Sequence, residues 1–165
     1  MSTLPKIKTL LYATDLGRHM RPVFRQAIGL AQHLNAGIIM LHVVEPLGST
    51  GEAVLSAYLP DKKLEQLERD GMKKILKQMK SRLETFCNEE LALCEKKNSM
   101  VKEIIVTTGR PAERIPQEAE KHHADMIVMG SWSDGFVGHG LLGSTARHVT
   151  QISQLPVLVV PNRTR

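Results

Sequence analysis

Five short apolar runs, separated by stretches with helical spacing, constrain this chain more than any other feature. Thr9-Leu10-Leu11-Tyr12-Ala13, Ile38-Ile39-Met40-Leu41-His42-Val43-Val44, Val101 to Val106, Met126-Ile127-Val128-Met129 and Val157-Leu158-Val159-Val160 read as strands. Between them, Val23 to Leu34, the stretch from Pro111 to His122, and a last one starting near Ser144 or Thr145 and ending before Leu155-Pro156 carry helical patterns. Alternating elements make parallel neighbours, because each helix supplies the crossover that a parallel pair needs. With one long helix ahead of the third strand, the prediction is an α/β fold: an open, five-stranded, mostly parallel sheet with four helices over both faces. The uninterrupted apolar character of the second run suits a strand buried on both sides.

Between the second and third strands the pattern is less regular. Glu45 to Pro60 dissolves into Gly48, Ser49, Thr50 and Gly51, which predicts a long mobile connection. A long helix then begins at Asp61, a suitable cap, with Leu64, Leu67, Ile75, Leu76, Met79, Leu83, Phe86 and Leu91 on one stripe and a potential break near Gly71. Asn35-Ala36-Gly37 is expected to stop the first helix through its glycine. Pro116 falls in the first turns of its helix, where proline is tolerated.

A chain of 165 residues fits one domain over residues 1–165 and folds without staples. Cys87 and Cys94 lie seven apart in a helical segment, on one face and too far apart along the axis to bond each other. They read as packing residues in a reducing compartment. No run is long and apolar enough to span a bilayer, and Met1-Ser2-Thr3-Leu4-Pro5-Lys6 lacks the apolar core of a signal peptide. The expectation is a soluble, cytoplasmic protein.

A net charge of +5 and a pI near 9.4 raise the question of nucleic acid. The distribution argues otherwise: the basic residues from Lys62 to Arg82 are interleaved with Glu65, Glu68 and Asp70, with Glu84 just beyond, as on a solvated helix face. Aromatics make up only 4% of the chain, too few for a base-stacking platform. Neither nucleic acid nor membrane is expected as a partner.

The loop after the fourth strand carries the functional signal. Met129-Gly130-Ser131-Trp132-Ser133 opens a glycine-strewn stretch that ends at Gly143-Ser144-Thr145, where a helix starts. Unpaired amides at a helix start, reinforced by the helix dipole, stabilise a phosphate without any basic side chain. Open α/β sheets bind ligands beyond the carboxyl ends of their strands, where strand order reverses. That rule brings Asp15, after the first strand, to the Gly130 loop.

In its motifs the chain resembles the universal stress protein family over nearly its whole length. The match is carried by Leu11-Tyr12-Ala13-Thr14-Asp15, by Leu41-His42-Val43-Val44, and by Gly109-Arg110-Pro111 with Ile115 and Ala119. It continues in Ala124-Asp125-Met126-Ile127-Val128-Met129-Gly130-Ser131, with Gly143-Ser144 and Pro156-Val157-Leu158-Val159-Val160 behind it. Their order and spacing together are specific. In the family's ATP-binding branch the loop after strand four reads glycine, two residues, glycine, nine residues, glycine, then serine or threonine; Gly130, Gly143 and Ser144 match in register, and Ser133 replaces the second glycine. A side chain at 133 either obstructs close approach of the backbone to phosphate or donates its hydroxyl to it.

The resemblance implies a Rossmann-like fold of the adenine nucleotide alpha hydrolase type. It also implies an ATP site in which Asp15 contacts the adenosine, the backbone of Val43 meets the adenine edge, and Gly130, Ser133, Gly143, Ser144 and Thr145 surround the ribose and phosphates. Thr14 and Met129, immediately before Asp15 and Gly130, complete that set. A divalent ion such as Mg would be held mainly through the phosphates, with no protein metal site required. The last strand would form a homodimer by antiparallel pairing of Val157 to Val160, which also covers an apolar edge. The expected role is a stress-response switch governed by ATP or a related adenine nucleotide. The alternatives are a nucleotide-free dimeric adaptor that acts on an unknown protein partner, and a slow ATPase.

Several residues keep a second reading. Asp15 suits an Asx turn or a helix cap as well as a ligand contact, and Ser144 and Thr145 are good N-caps whatever binds. His122 and His123, adjacent at a helix end, point apart and suit the helix dipole better than a shared metal. His42 reads as a buried, hydrogen-bonded strand residue. His139 either approaches a phosphate or stands exposed, and Trp132 either shields the pocket mouth or packs at a subunit contact. No nucleophile, base and orienting group share a recognisable spacing, so no catalytic residues are assigned.

Overall fold

The computed structural model describes residues 4–17, 19–58, 61–92, 100–132 and 142–162. Five strands, β1 (Thr9–Ala13), β2 (Gly37–Val44), β3 (Val101–Thr108), β4 (Met126–Gly130) and β5 (Val157–Val160), form one sheet in the order β3-β2-β1-β4-β5. Every pairing is parallel. The strand order reverses between β1 and β4, which flank each other with Ala13 opposite Met129.

The helices are α1 (Arg21–Leu34), α2 (Ser49–Ser56), α3 (Asp61–Leu91), α4 (Pro111–Lys121) and α5 (Ser144–Ile152). Alternation of side chains along β1 divides the core. Leu10 and Tyr12 pack with Val23, Phe24 and Ala27 of α1 and with Leu83 and Cys87 of α3. Leu11 and Ala13 point the other way, to Ile115 and Ala119 of α4 and Ala146 and Val149 of α5. The sheet is therefore covered on both faces, as a parallel sheet requires.

Four local expectations are corrected. The connection after β2 holds α2, a helix whose Val54 is 56% exposed; with no buried side chain among its described ones, it leaves no periodic signal in the sequence. The first helix is stopped by Asn35, which takes the left-handed conformation (φ 52°, ψ 42°), while Gly37 already belongs to β2. Asparagine tolerates that region because its short polar side chain is compatible with it. α3 runs through Gly71 without a break. Among its described residues the apolar stripe is buried only in the second half: Leu83 is fully buried, whereas Leu67 and Ile75 are exposed. A helix of 31 residues is about 46 Å long, against about 26 Å for an eight-residue strand, so its first half overhangs the sheet.

α3 is fastened to α1 by charge. Glu90, its side chain wholly buried, pairs with Nη1 of Arg21 and, at 2.7 Å, with Nε of Arg25. Arg21 also reaches Glu89 at 2.9 Å and lies over the Phe86 ring. Burial alone would raise the Glu90 pKa, but the hydrogen bonds from Arg25 and Arg21 outweigh it and hold the carboxyl below its ordinary value. Cys87 is buried, which pushes its thiol up to about 11, as suits a packing residue; Cys94 lies outside the described residues.

Candidate functional site

A cavity of about 570 Å³ opens beyond the carboxyl ends of β1, β2 and β4, at the reversal of strand order. Of the residues expected there, Thr14, Asp15, Val43, Met129, Gly130, Gly143 and Thr145 line it. Ser144 is exposed and lies outside the lining, and Ser133 and His139 fall outside the described residues.

The β1 end of the site is held in a fixed shape. Thr14 donates its amide to the Leu41 carbonyl (2.9 Å), its own carbonyl contacts Nδ1 of His42 (2.8 Å), and its hydroxyl accepts the amide of Leu16 (3.0 Å). Asp15 Oδ1 accepts the amide of Gly17 at 2.8 Å, so the Asx-turn reading holds while the exposed carboxylate still borders the cavity. Leu16 between them has φ 61°, a conformation that costs a residue with a Cβ about 1–2 kcal/mol. The buried, hydrogen-bonded role expected of His42 is partly met: the ring is half-buried, bonded to Thr14 and in contact with the cavity.

The β2 end presents backbone. The β1 ladder ends at Ala13 opposite Leu41, whose carbonyl points toward Thr14. Val43, two residues on, directs its N–H and C=O to the same side, above the end of that ladder. Val44 points oppositely and accepts the amide of Gly109 on the β3 side at 3.0 Å.

The β4 end turns on Asn162, which the sequence pattern did not single out. Asn162 is 5% exposed. Its Oδ1 accepts the amide of Trp132 (2.9 Å) and the hydroxyl of Ser131 (3.1 Å), and its Nδ2 donates to the Trp132 carbonyl (2.9 Å). A Cβ on Gly130 would stand 2.7 Å from Asn162 Nδ2, so a side chain here would displace the buried, hydrogen-bonded Asn162. A Cβ on Gly143 would stand 2.9 Å from the Ser131 carbonyl oxygen, which accepts the Gly143 amide at the same distance. No short motif flags Asn162, because its role depends on β5 lying beside β4.

α5 begins just past Gly143. The expectation that Ser144 or Thr145 caps it is not met: Gly143 is the N-cap, and no side-chain hydrogen bond closes the helix start. The first-turn amides carry no side-chain cap among the described residues, and the positive end of the helix dipole lies behind them. Trp132 lines the cavity, in keeping with the pocket-mouth reading. Met79 and Arg82 of α3 also border it, a contribution hidden in the sequence because Met79 reads as part of an apolar packing stripe and Arg82 as part of a solvated face.

His122 sits between carboxylates. His122 Nδ1 lies 3.3 Å from Glu103 and its Nε2 3.3 Å from Glu118, a carboxylate also held by Arg114 and Lys121. Among the described residues no group of three or more His, Cys, Asp or Glu could hold an ion, and no helix is long and apolar enough to cross a membrane.

Comparison with known proteins places these features in a wider set. A model of the universal stress protein family matches residues 6–161. The universal stress protein MJ0577 of Methanocaldococcus jannaschii is 29% identical over 160 residues, covering 94% of this chain and 96% of that protein. A universal stress protein of Thermus aquaticus is 31% identical over 153 residues, covering 93% and 98%. The solved structure of MJ0577 superposes with a TM-score of 0.76 at 26% identity, covering 98% of this chain and all of that one. A universal stress protein crystallised with cAMP shares the fold, with a TM-score of 0.55 at 20% identity over 96% and 100% of the two chains.

Proposed function

The chain belongs to the universal stress protein family, and from that footing we propose that it binds ATP or a related adenine nucleotide between Asp15 and Gly130 and acts as a nucleotide-responsive switch in stress. The cavity carries this reading: about 570 Å³ lies within the range of small-molecule sites, at the position where open α/β sheets take ligands. Val43, Ile115 and Met129 offer apolar wall to a purine, and the backbone of Val43 offers a donor and an acceptor to its edge. Asp15 suits ribose hydroxyls, which donate to a carboxylate, and the uncapped start of α5 suits phosphates. A divalent ion would take its ligands chiefly from the phosphates. Any hydrolysis would be slow and would rest on positioning and a bound metal rather than on a dedicated base.

A second copy completes the switch. β5 pairs with β4 on one side and carries Leu158, 37% exposed, on the outer edge of the sheet. Antiparallel pairing of Val157 to Val160 about a two-fold axis would cover that edge. Asn162, two residues beyond β5, holds Trp132 at the pocket and so links the end of the edge strand to the start of the loop.

One observation favours the adaptor reading: a Cβ at Gly130 or Gly143 would meet Asn162 or the Ser131 carbonyl within the protein, so neither glycine by itself requires a nucleotide. Thermal unfolding with and without Mg-ATP, Mg-ADP and AMP separates the two. A ligand at a hundredfold excess over its Kd adds about 2.7 kcal/mol of stability. No shift with any adenine nucleotide rejects the switch and leaves the adaptor.

A further inference from the structure

α3 belongs to the sheet face held by α1, through Leu83 and Cys87, whereas α4 and α5 belong to the opposite face. The crevice is therefore bounded by Met79 and Arg82 on one side and by the start of α5 on the other. Among the described residues lining it, Asp15 and Glu45 are acidic and Arg82 alone carries a fixed positive charge. Arg82 is exposed, and its one hydrogen bond among the described residues is a weak one from Nη1 to the Met79 sulfur at 3.9 Å. It forms no ion pair among them, unlike Arg21, Arg25, Arg110 and Arg114.

A guanidinium that borders a cavity with no carboxylate partner among the described residues, across from a helix start that none of them caps, is arranged for an anion. Its planar fork matches two phosphate oxygens at once. Without it, Asp15 and Glu45 would oppose a polyphosphate through like charge.

We propose that Arg82 is the specificity-determining residue of this pocket, pairing with phosphate oxygens of the bound nucleotide and selecting di- and triphosphates over the nucleoside. This inference rests on the adenine-nucleotide reading of the site.

The test is calorimetric titration of the full chain and of its Arg82→Ala and Arg82→Lys variants with adenosine, AMP, Mg-ADP and Mg-ATP. Arg82 is exposed, so neither variant disturbs the core. Loss of a charged hydrogen bond should weaken Mg-ATP binding by about tenfold or more in Arg82→Ala while adenosine changes by less than about twofold. Arg82→Lys, which keeps the charge and loses the fork, should fall between. Equal losses for adenosine and Mg-ATP, or no loss for either, overturn the role of Arg82 and leave the site reading intact. A native protein that binds none of the four ligands overturns both, and does so before any substitution is made.

Discussion

Asn162 holds both backbone polar groups of Trp132, accepting its N–H through Oδ1 and donating to its carbonyl through Nδ2, each at 2.9 Å. A residue just past the last strand thus sets the course of the chain as it leaves β4. Asn162→Ala leaves the Trp132 groups without these partners, at a cost of about 1–3 kcal/mol in urea unfolding. The same variant should weaken nucleotide binding, because the loop start is no longer held. Unchanged stability would mean that water replaces the side chain without loss.

Gly130 and Asn162 should be coupled energetically. Gly130→Ala drives a methyl group to 2.7 Å from Nδ2 and should destabilise by about 1–3 kcal/mol. Removing the obstacle in Gly130→Ala/Asn162→Ala should make the two losses less than additive, by more than about 0.5 kcal/mol in a double-mutant cycle. Strict additivity would place the strain elsewhere. Gly143→Ala meets backbone at Ser131 instead, so no side-chain truncation should rescue it.

Glu90 predicts an acid limb of stability. Its pKa is lowered on folding, so its contribution is complete above the unfolded value of about 4.3 and fades as pH falls below that toward the folded value. Glu90→Gln should cost about 1–3 kcal/mol at pH 7, less than for a fully buried pair because Arg21 and Arg25 are half-exposed. The gap between native and variant should narrow as pH falls below about 4.3; a constant gap would assign the loss to packing.

Asp15 has two separable roles. Asp15→Asn keeps an oxygen for the Gly17 amide and should leave the melting temperature within a few degrees, whereas Asp15→Ala loses the turn and about 0.5–1.5 kcal/mol. Both should weaken adenosine binding in titration if the carboxylate meets the ribose. Full affinity in Asp15→Asn would reduce this residue to a turn former.

The dimer edge is tested by Leu158→Lys. A charge on the exposed edge of β5 should shift sedimentation to the monomer while the monomer stays folded by circular dichroism, because Leu158 is not part of the buried core. A dimer that survives the change would use another face.

Strand identity was legible at the level of single residues, because parallel strands buried on both faces write themselves as apolar runs; β1 and β5 coincide with the runs read from the sequence. α2 was not legible, since its exposed side chains carry no periodic pattern. The meeting of Asp15 with Gly130 was legible through topology alone, as the consequence of a strand reversal between β1 and β4. The N-cap of α5 was misread because serine and threonine are the commoner caps, whereas the approach of Gly143 to the Ser131 carbonyl leaves no room for a Cβ at the turn.

By itself, then, the sequence determined the strands, their parallel order and the family, since these follow from hydrophobic periodicity and local motif spacing along one chain. Tertiary structure decided where Asn162, Met79 and Arg82 lie and why a side chain at Gly130 would meet Asn162. Each of those placements arises from side chains far apart in sequence that the packing of β5 on β4, or of α3 over the sheet, brings to one crevice, and no local pattern encodes such a distance.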